Sequence, residues 1–292
     1  MNKLVLMLFA GIMAFGQTFD GDKAFAYLLK QVEFGPRNPN SKGHKECMAY
    51  LFQHFEKYCQ TAEKQSFTAA GYGEQLHLAN IIGRYNPEQT DRIILCAHWD
   101  TRPRADHDKT HPDKPILGAS DGASGVAVLL EMAVILADLN LPLGIDLVLF
   151  DGEDYGYEGD LDMYFLGSRY FMKNTDASLY REGILLDLIG DKNLTIKKEY
   201  YSELYAPELN AEVFNLAEDM GLPGFSSELG LAIQDDHLIM NKGGIPTINL
   251  IDFEYPDPAN SYWHTHNDLP QACSPESLEQ VGKLVLEYLL RK

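Results

Sequence analysis

The feature that most restricts this chain is a set of short apolar runs. They read "LANIIGRY", "RIILCA", "IDLVLF", "EGILLDLI" and "IPTINL". Strands open to water on one face alternate polar and apolar residues, whereas these runs are close to continuously hydrophobic, as strands covered on both faces are. Helical stretches separate several of them: "GVAVLLEMAVILADL", "GSRYFMKN" and "PELNAEVFNLAEDM". A helix over "DGDKAFAYLLKQVEF" and a second from an N-cap at Ser41 to about Tyr58 precede the first run, and an amphipathic helix from Pro275 to Leu290 closes the chain. The alternation predicts an α/β fold of three α/β/α layers around a central, mostly parallel mixed sheet.

The N-terminus reads as a leader. Lys3 is followed by "LVLMLFAGIMAF", too short to span a bilayer comfortably, and small residues at Ala14 and Gly16 suit signal-peptidase cleavage. Residues 1–16 are read as a signal peptide and 17–292 as a single catalytic domain, periplasmic or secreted, monomeric and with no membrane span once the leader is gone. Cleavage after Gly16 would expose Gln17. A net charge of −19 disfavours nucleic acid and anionic membranes as partners. Cys47, Cys59, Cys96 and Cys273 lack metal-site spacing. Cys47 and Cys59, on one helix about 18 Å apart at about 1.5 Å per residue, cannot bridge, so free thiols are expected.

Open parallel sheets bind ligands beyond the carboxyl ends of their strands. "RIILCA" is followed by His98, Trp99 and Asp100, "IDLVLF" by Asp151, Glu153 and Asp154, and "GILL" by Asp187. "GASDGASG" places Asp121 at the start of a helix, as an N-cap or, among glycines that permit close backbone approach, facing a ligand. "SYWHTHND" supplies His264 and His266. Each of the two tryptophans, Trp99 and Trp263, adjoins a motif histidine, and a Trp–His pair in a polar, proline-flanked loop suits a pocket wall better than a core. Catalytic zinc takes three protein ligands and keeps one position open. Asp121, Asp154 and His264 meet that need and leave Glu153 free for proton transfer. Glu158, Asp160 and Asp162 read as an acidic surface loop.

In this order, "CAHWD", "GASDGASG", "FDGED", "LLDLIG", "QDDH" and "WHTHND" resemble the glutaminyl-peptide cyclotransferases, especially bacterial members, over roughly Phe25 to Leu290. That family shares its fold with the zinc aminopeptidases. The resemblance implies one zinc ion on Asp121, Asp154 and His264, Glu153 as the proton-transfer group, Asp187 and Asp235 in a hydrogen-bonded network by the substrate, and Trp263 as an aromatic wall. It implies closure of the N-terminal glutamine of peptides and proteins to pyroglutamate with loss of ammonia. Against the animal pattern, Asp154 replaces a glutamate ligand, Asn249 replaces a histidine, a cysteine pair near the site is missing, and "YGYEGDLDMYF" lacks a tryptophan. The rival expectation is a dinuclear zinc aminopeptidase, with His98, Asp121 and Asp187 on a second ion. A binding protein that kept the fold without catalysis would show disrupted metal or base positions, and all are intact.

Overall fold

The computed structural model describes residues 18–292, so the leader and Gln17 lie outside the described residues. In chain order the strands are β1 (Thr61–Ala70), β2 (Gln75–Tyr85), β3 (Arg92–His98), β4 (Gly144–Phe150), β5 (Tyr180–Asp187), β6 (Ile196–Lys198), β7 (Phe225–Leu229) and β8 (Thr247–Ile251). The helices are α1 (Gly21–Glu33), α2 (Lys42–Tyr58), α3 (Ala123–Leu136), α4 (Leu166–Lys173), α5 (Tyr200–Tyr205), α6 (Pro207–Asp219), α7 (Asp236–Lys242) and α8 (Pro275–Leu290).

Six strands form one mixed sheet in the order β1-β2-β4-β3-β5-β8, and β6 pairs with β7 in a separate small sheet. The β4-β3-β5-β8 pairings are parallel, and β2 joins β4 antiparallel. The side-chain period of two splits each central strand between two cores. Ile93, Leu95 and Ala97 of β3 and Ile145, Leu147 and Leu149 of β4 share the larger core with residues of α1, α2, α3 and α8. Ile94, Cys96, Val148 and Phe150 point the other way, into a smaller core with Phe171 of α4 and Met240 of α7. The three predicted layers and the mostly parallel mixed sheet are therefore present.

All five apolar runs became strands, and the predicted helices stand within a few residues of their expected ends. Strand β1 was not anticipated. It is an edge strand with no fully buried residue, so "TAEKQSFTAA" carries no apolar run. The short elements α5, α7, β6 and β7 were missed as well. All four cysteines are free thiols, and Cys47, Cys96 and Cys273 are buried. Among the described residues, no helix is long and apolar enough to cross a membrane.

Candidate metal centre and active-site cleft

Parallel register brings the carboxyl ends of β3, β4, β5 and β8 to one edge of the sheet, with His98 opposite Phe150 and Asp187 opposite Ile251. There they surround a cleft of about 190 Å³ whose walls include Asp121, Glu153, Asp154, Asp187, Asp235, Trp263 and His264. These seven residues, all singled out from sequence, thus converge on one cavity, whereas His98, Trp99 and His266 do not line it.

One ligand atom from each of Asp121, Asp154 and His264 lies within 4.8 Å of the others, and all three residues are buried. His264 Nε2 is 3.4 Å from Asp154 Oδ1 and 3.7 Å from Asp121 Oδ2. Arg102 donates to Asp154 Oδ1 at 2.6 Å, while Asp154 Oδ2 is buried with no hydrogen-bond partner among the described residues. An orphaned carboxylate oxygen in a dry site is costly unless a cation satisfies it. Two carboxylates and an imidazole suit zinc. Burial opposes ionisation of Asp154, but the neighbouring His264 and Arg102 outweigh it and hold the carboxyl below its usual range. Burial and the Asp154 charge push Asp121 up to about 7, against the pull of His98.

A second ligand-capable group consists of His98, Asp121 and Asp187, again within 4.8 Å and buried. His98 Nε2 lies 3.2 Å from both Asp121 Oδ1 and Asp187 Oδ1. Desolvation favours neutral His98, yet Asp100, Asp121 and Asp187 around the ring raise its pKa well above the ordinary value. Asp121 therefore belongs to both groups, one oxygen facing each histidine.

Glu153 belongs to neither group. Its carboxyl is pushed well above the usual range by burial, which His98 offsets and the charges of Asp154 and Asp235 reinforce. Across the cleft, Asp235 is raised to about 6 by burial and by the Asp187 charge. Asp235 accepts hydrogen bonds from the side chain of Asn249 at 2.7 Å and from the backbone N–H of Asp236 at 2.6 Å. Asn249 thus supports the second cleft carboxyl. Asp187 pairs with His98 at 3.2 Å.

Sequence reasoning named Asp100 at a strand end without foreseeing its structural role, and passed over Asp268, although it lies inside a quoted motif. Buried Asp100 accepts the backbone N–H groups of Glu153 and Asp154, at 3.0 and 3.3 Å. Buried Asp268 does the same for Ser120 and Asp121, at 2.8 and 3.1 Å, and also accepts from the Tyr255 hydroxyl at 2.9 Å. The loops carrying Asp121 and Asp154 are thereby each pinned by a carboxylate from a different loop. Neither function has a local sequence signal, because the partners lie 53 and 54 residues away for Asp100 and 147 and 148 for Asp268.

Asp121 does not cap α3. The cap position is Gly122, at φ 96° with no side-chain cap bond, and Asp121 stands one residue earlier, turned into the cleft. His264 adopts a left-handed backbone, φ 55°, as do Leu188 beside Asp187 and Phe165 in the cleft wall. Such strain in non-glycine residues concentrates at functional sites. The two tryptophans part company. Trp263 stacks on the His264 ring, centroids 3.7 Å apart, and lines the cleft as expected. Trp99 instead lies fully buried, stacked on His44 and donating to the Ala79 carbonyl, because its side chain turns into the core. His266 is held by Asp108 at 2.9 Å, outside the cleft wall. Glu158 is more than a surface charge, since it reaches the cleft rim, 3.8 Å from His107.

The sequence model of peptidase family M28 matches residues 80–289. A glutaminyl-peptide cyclotransferase of Drosophila melanogaster is 26% identical over 87% of this chain and 78% of its own length. Two solved structures from Bacteroides thetaiotaomicron are each 41% identical over 94% of this chain, with TM-scores of 0.89. One is a glutaminyl cyclase, covered over 99% of its length, and the other is described as a leucine aminopeptidase precursor, covered over 98%. With a family match across most of the chain and the cyclase likeness running through fold and sequence alike, this chain belongs to peptidase family M28, in its glutaminyl-cyclase branch.

Proposed function

We propose that this chain is a zinc-dependent glutaminyl-peptide cyclotransferase that closes the N-terminal glutamine of peptides and proteins to pyroglutamate and releases ammonia. The observation that carries the reading is the placement of Glu153, a partly buried carboxyl outside both ligand-capable groups but in the same cleft as Asp121, Asp154 and His264. In this reading those three hold a single zinc ion, which when bound polarises the side-chain amide and stabilises the developing oxyanion.

The chain's own residues do the rest. The α-amine of the glutamine attacks its side-chain amide carbon, a C–N bond forms, and the bond to the amide nitrogen breaks. Glu153 takes the proton from the attacking amine and gives it to the departing nitrogen, which leaves as ammonia. Burial raises its basicity, as such a shuttle requires, and general acid–base catalysis of this kind contributes roughly 10²–10⁴-fold. Asp235, its carboxyl raised to about 6, and Asp187 both line the cleft, and the pair orients the attacking amine by accepting its hydrogen bonds. Trp263 walls the cleft against water and packs along the glutamine methylenes. The protein acts as a monomer, exported to the periplasm or beyond.

The group of His98, Asp121 and Asp187 favours a second reading, a two-zinc aminopeptidase. Incubation with a glutamine-initiated peptide separates the two. Ammonia release with the peptide chain intact supports cyclisation, and free glutamine supports hydrolysis. One zinc per chain accords with the first and two with the second.

A further inference from the structure

Glu199 precedes α5 and is buried, yet its carboxylate gathers more donors than a helix cap needs. Oε1 accepts the backbone N–H groups of Tyr201 and Ile233, each at 2.9 Å. Oε2 accepts from the N–H and hydroxyl of Ser202, at 2.6 and 2.8 Å, and from His237 Nε2 at 3.0 Å. Capping α5 accounts for Tyr201 and Ser202 alone. Burial pushes the Glu199 carboxyl up, but His237 and the backbone donors outweigh it and hold it below its usual range. A carboxylate offers about four lone-pair sites, so this one has none left for a ligand. The two donors outside the cap stand on either side of one cleft residue. Ile233 lies two residues before Asp235 and His237 two residues after it. A further tie runs through the sheet. The Ser202 hydroxyl that donates to Glu199 accepts from Asn249 N–H at 2.9 Å, and the Asn249 side chain donates to Asp235 at 2.7 Å.

We propose that Glu199 is a positioning residue for the reaction: through Ile233, His237 and the Ser202–Asn249 link it fixes the Asp235 carboxyl against the attacking amine. The inference rests on the cyclase reading, in which Asp235 orients that amine. Asp235 sits at the N-cap of α7, where the chain passes from the cleft wall into the helix. Backbone rotation there would swing the carboxyl, and a misplacement of about 1 Å near reacting groups can cost about 10²-fold in rate. One carboxylate that holds both flanks and the side-chain partner of Asp235 removes that freedom. None of these bonds involves Asp121, Asp154 or His264, so the effect is separable from metal binding.

The test measures the single-turnover rate of cyclisation of a glutamine-initiated peptide by zinc-loaded enzyme in excess, so that slow variants stay readable. The variants are Glu199→Gln, His237→Leu and His237→Gln, each alone and combined with Asp235→Asn. Glu199→Gln and His237→Leu are expected to slow cyclisation by about 10–100-fold, with zinc per chain at the wild-type level. His237→Gln keeps a donor nitrogen in place of Nε2 and should stay within about threefold of wild type. In the Asp235→Asn background the same changes should cost less than about threefold, because the group they position is already gone. Wild-type rates in Glu199→Gln and His237→Leu, losses that multiply in full with Asp235→Asn, or a loss of zinc that parallels the loss of rate overturn the proposal alone. Should Glu199→Gln not fold, the two His237 variants decide by the same criteria. Failure of the wild type to cyclise any glutamine peptide overturns the cyclase reading and this inference with it.

Discussion

Asp100 holds Glu153 and Asp154 by their backbones, each of its carboxylate oxygens accepting one of the two consecutive N–H groups. The pair proposed to divide metal binding from proton transfer is thus set by a residue at the end of a neighbouring strand. Asp100→Ala would leave two buried N–H groups unsatisfied, at about 1–3 kcal/mol for each unpaired group. The expected outcome is a lower denaturant midpoint together with a fall in kcat. A variant with wild-type stability and turnover would show that the clamp is idle.

Glu153→Gln keeps the shape of the side chain and removes its capacity to take a proton. Turnover should drop by about 10²–10⁴-fold. Zinc content per chain, measured by elemental analysis, should stay at the wild-type level, because Asp121, Asp154 and His264 are untouched. Loss of zinc along with activity would reassign Glu153 to the ligand set.

Gly122 sits at φ 96°, and a Cβ there would come within 2.6 Å of the Asp100 carbonyl and 3.0 Å of the His98 ring. Gly159 has a similar φ of 85° with nothing within 4 Å of the added carbon. Both alanine variants bear left-handed strain, about 1 kcal/mol, but only Gly122→Ala adds a backbone clash. Gly122→Ala should therefore be destabilised by at least about 1 kcal/mol more than Gly159→Ala in parallel denaturation curves. Equal stability would mean that the turn relaxes freely.

Asp252, away from the ligands, is pushed up to about 7 by burial, only partly offset by hydrogen bonds from the Thr195 and Glu254 backbones. Its folded-state pKa lies above the ordinary value of 3.8, so the folded protein binds the proton more tightly than the unfolded chain. Its contribution to stability is full below about 3.8, declines as pH rises toward 7, and is flat above. Asp252→Asn should flatten that part of the stability–pH curve. An unchanged slope would show that Asp252 titrates as an ordinary carboxyl.

The layers and the cleft were legible because burial on both sheet faces leaves continuous apolar runs, and because parallel strands carry the residues after them to one edge. "RIILCA" before His98 and "IDLVLF" before Glu153 display both facts at once. Strand β1 was not legible, since an edge position asks little of its side chains. Nor could the sequence reveal that Trp99 faces inward while Trp263 faces the cleft, for their local surroundings look alike. The tasks of Asp100, Asp268 and Asn249 likewise exist only through partners far along the chain.

Asp121 turns one oxygen toward His98 and the other toward His264. An ion seated on either side would polarise the carboxylate that the other side needs, so affinity at the two positions is linked through a single residue. Substitution there cannot retune one without disturbing its twin. If one ion favours the loss of ammonia and two favour hydrolysis, the choice between them falls on Asp121, the residue common to both groups.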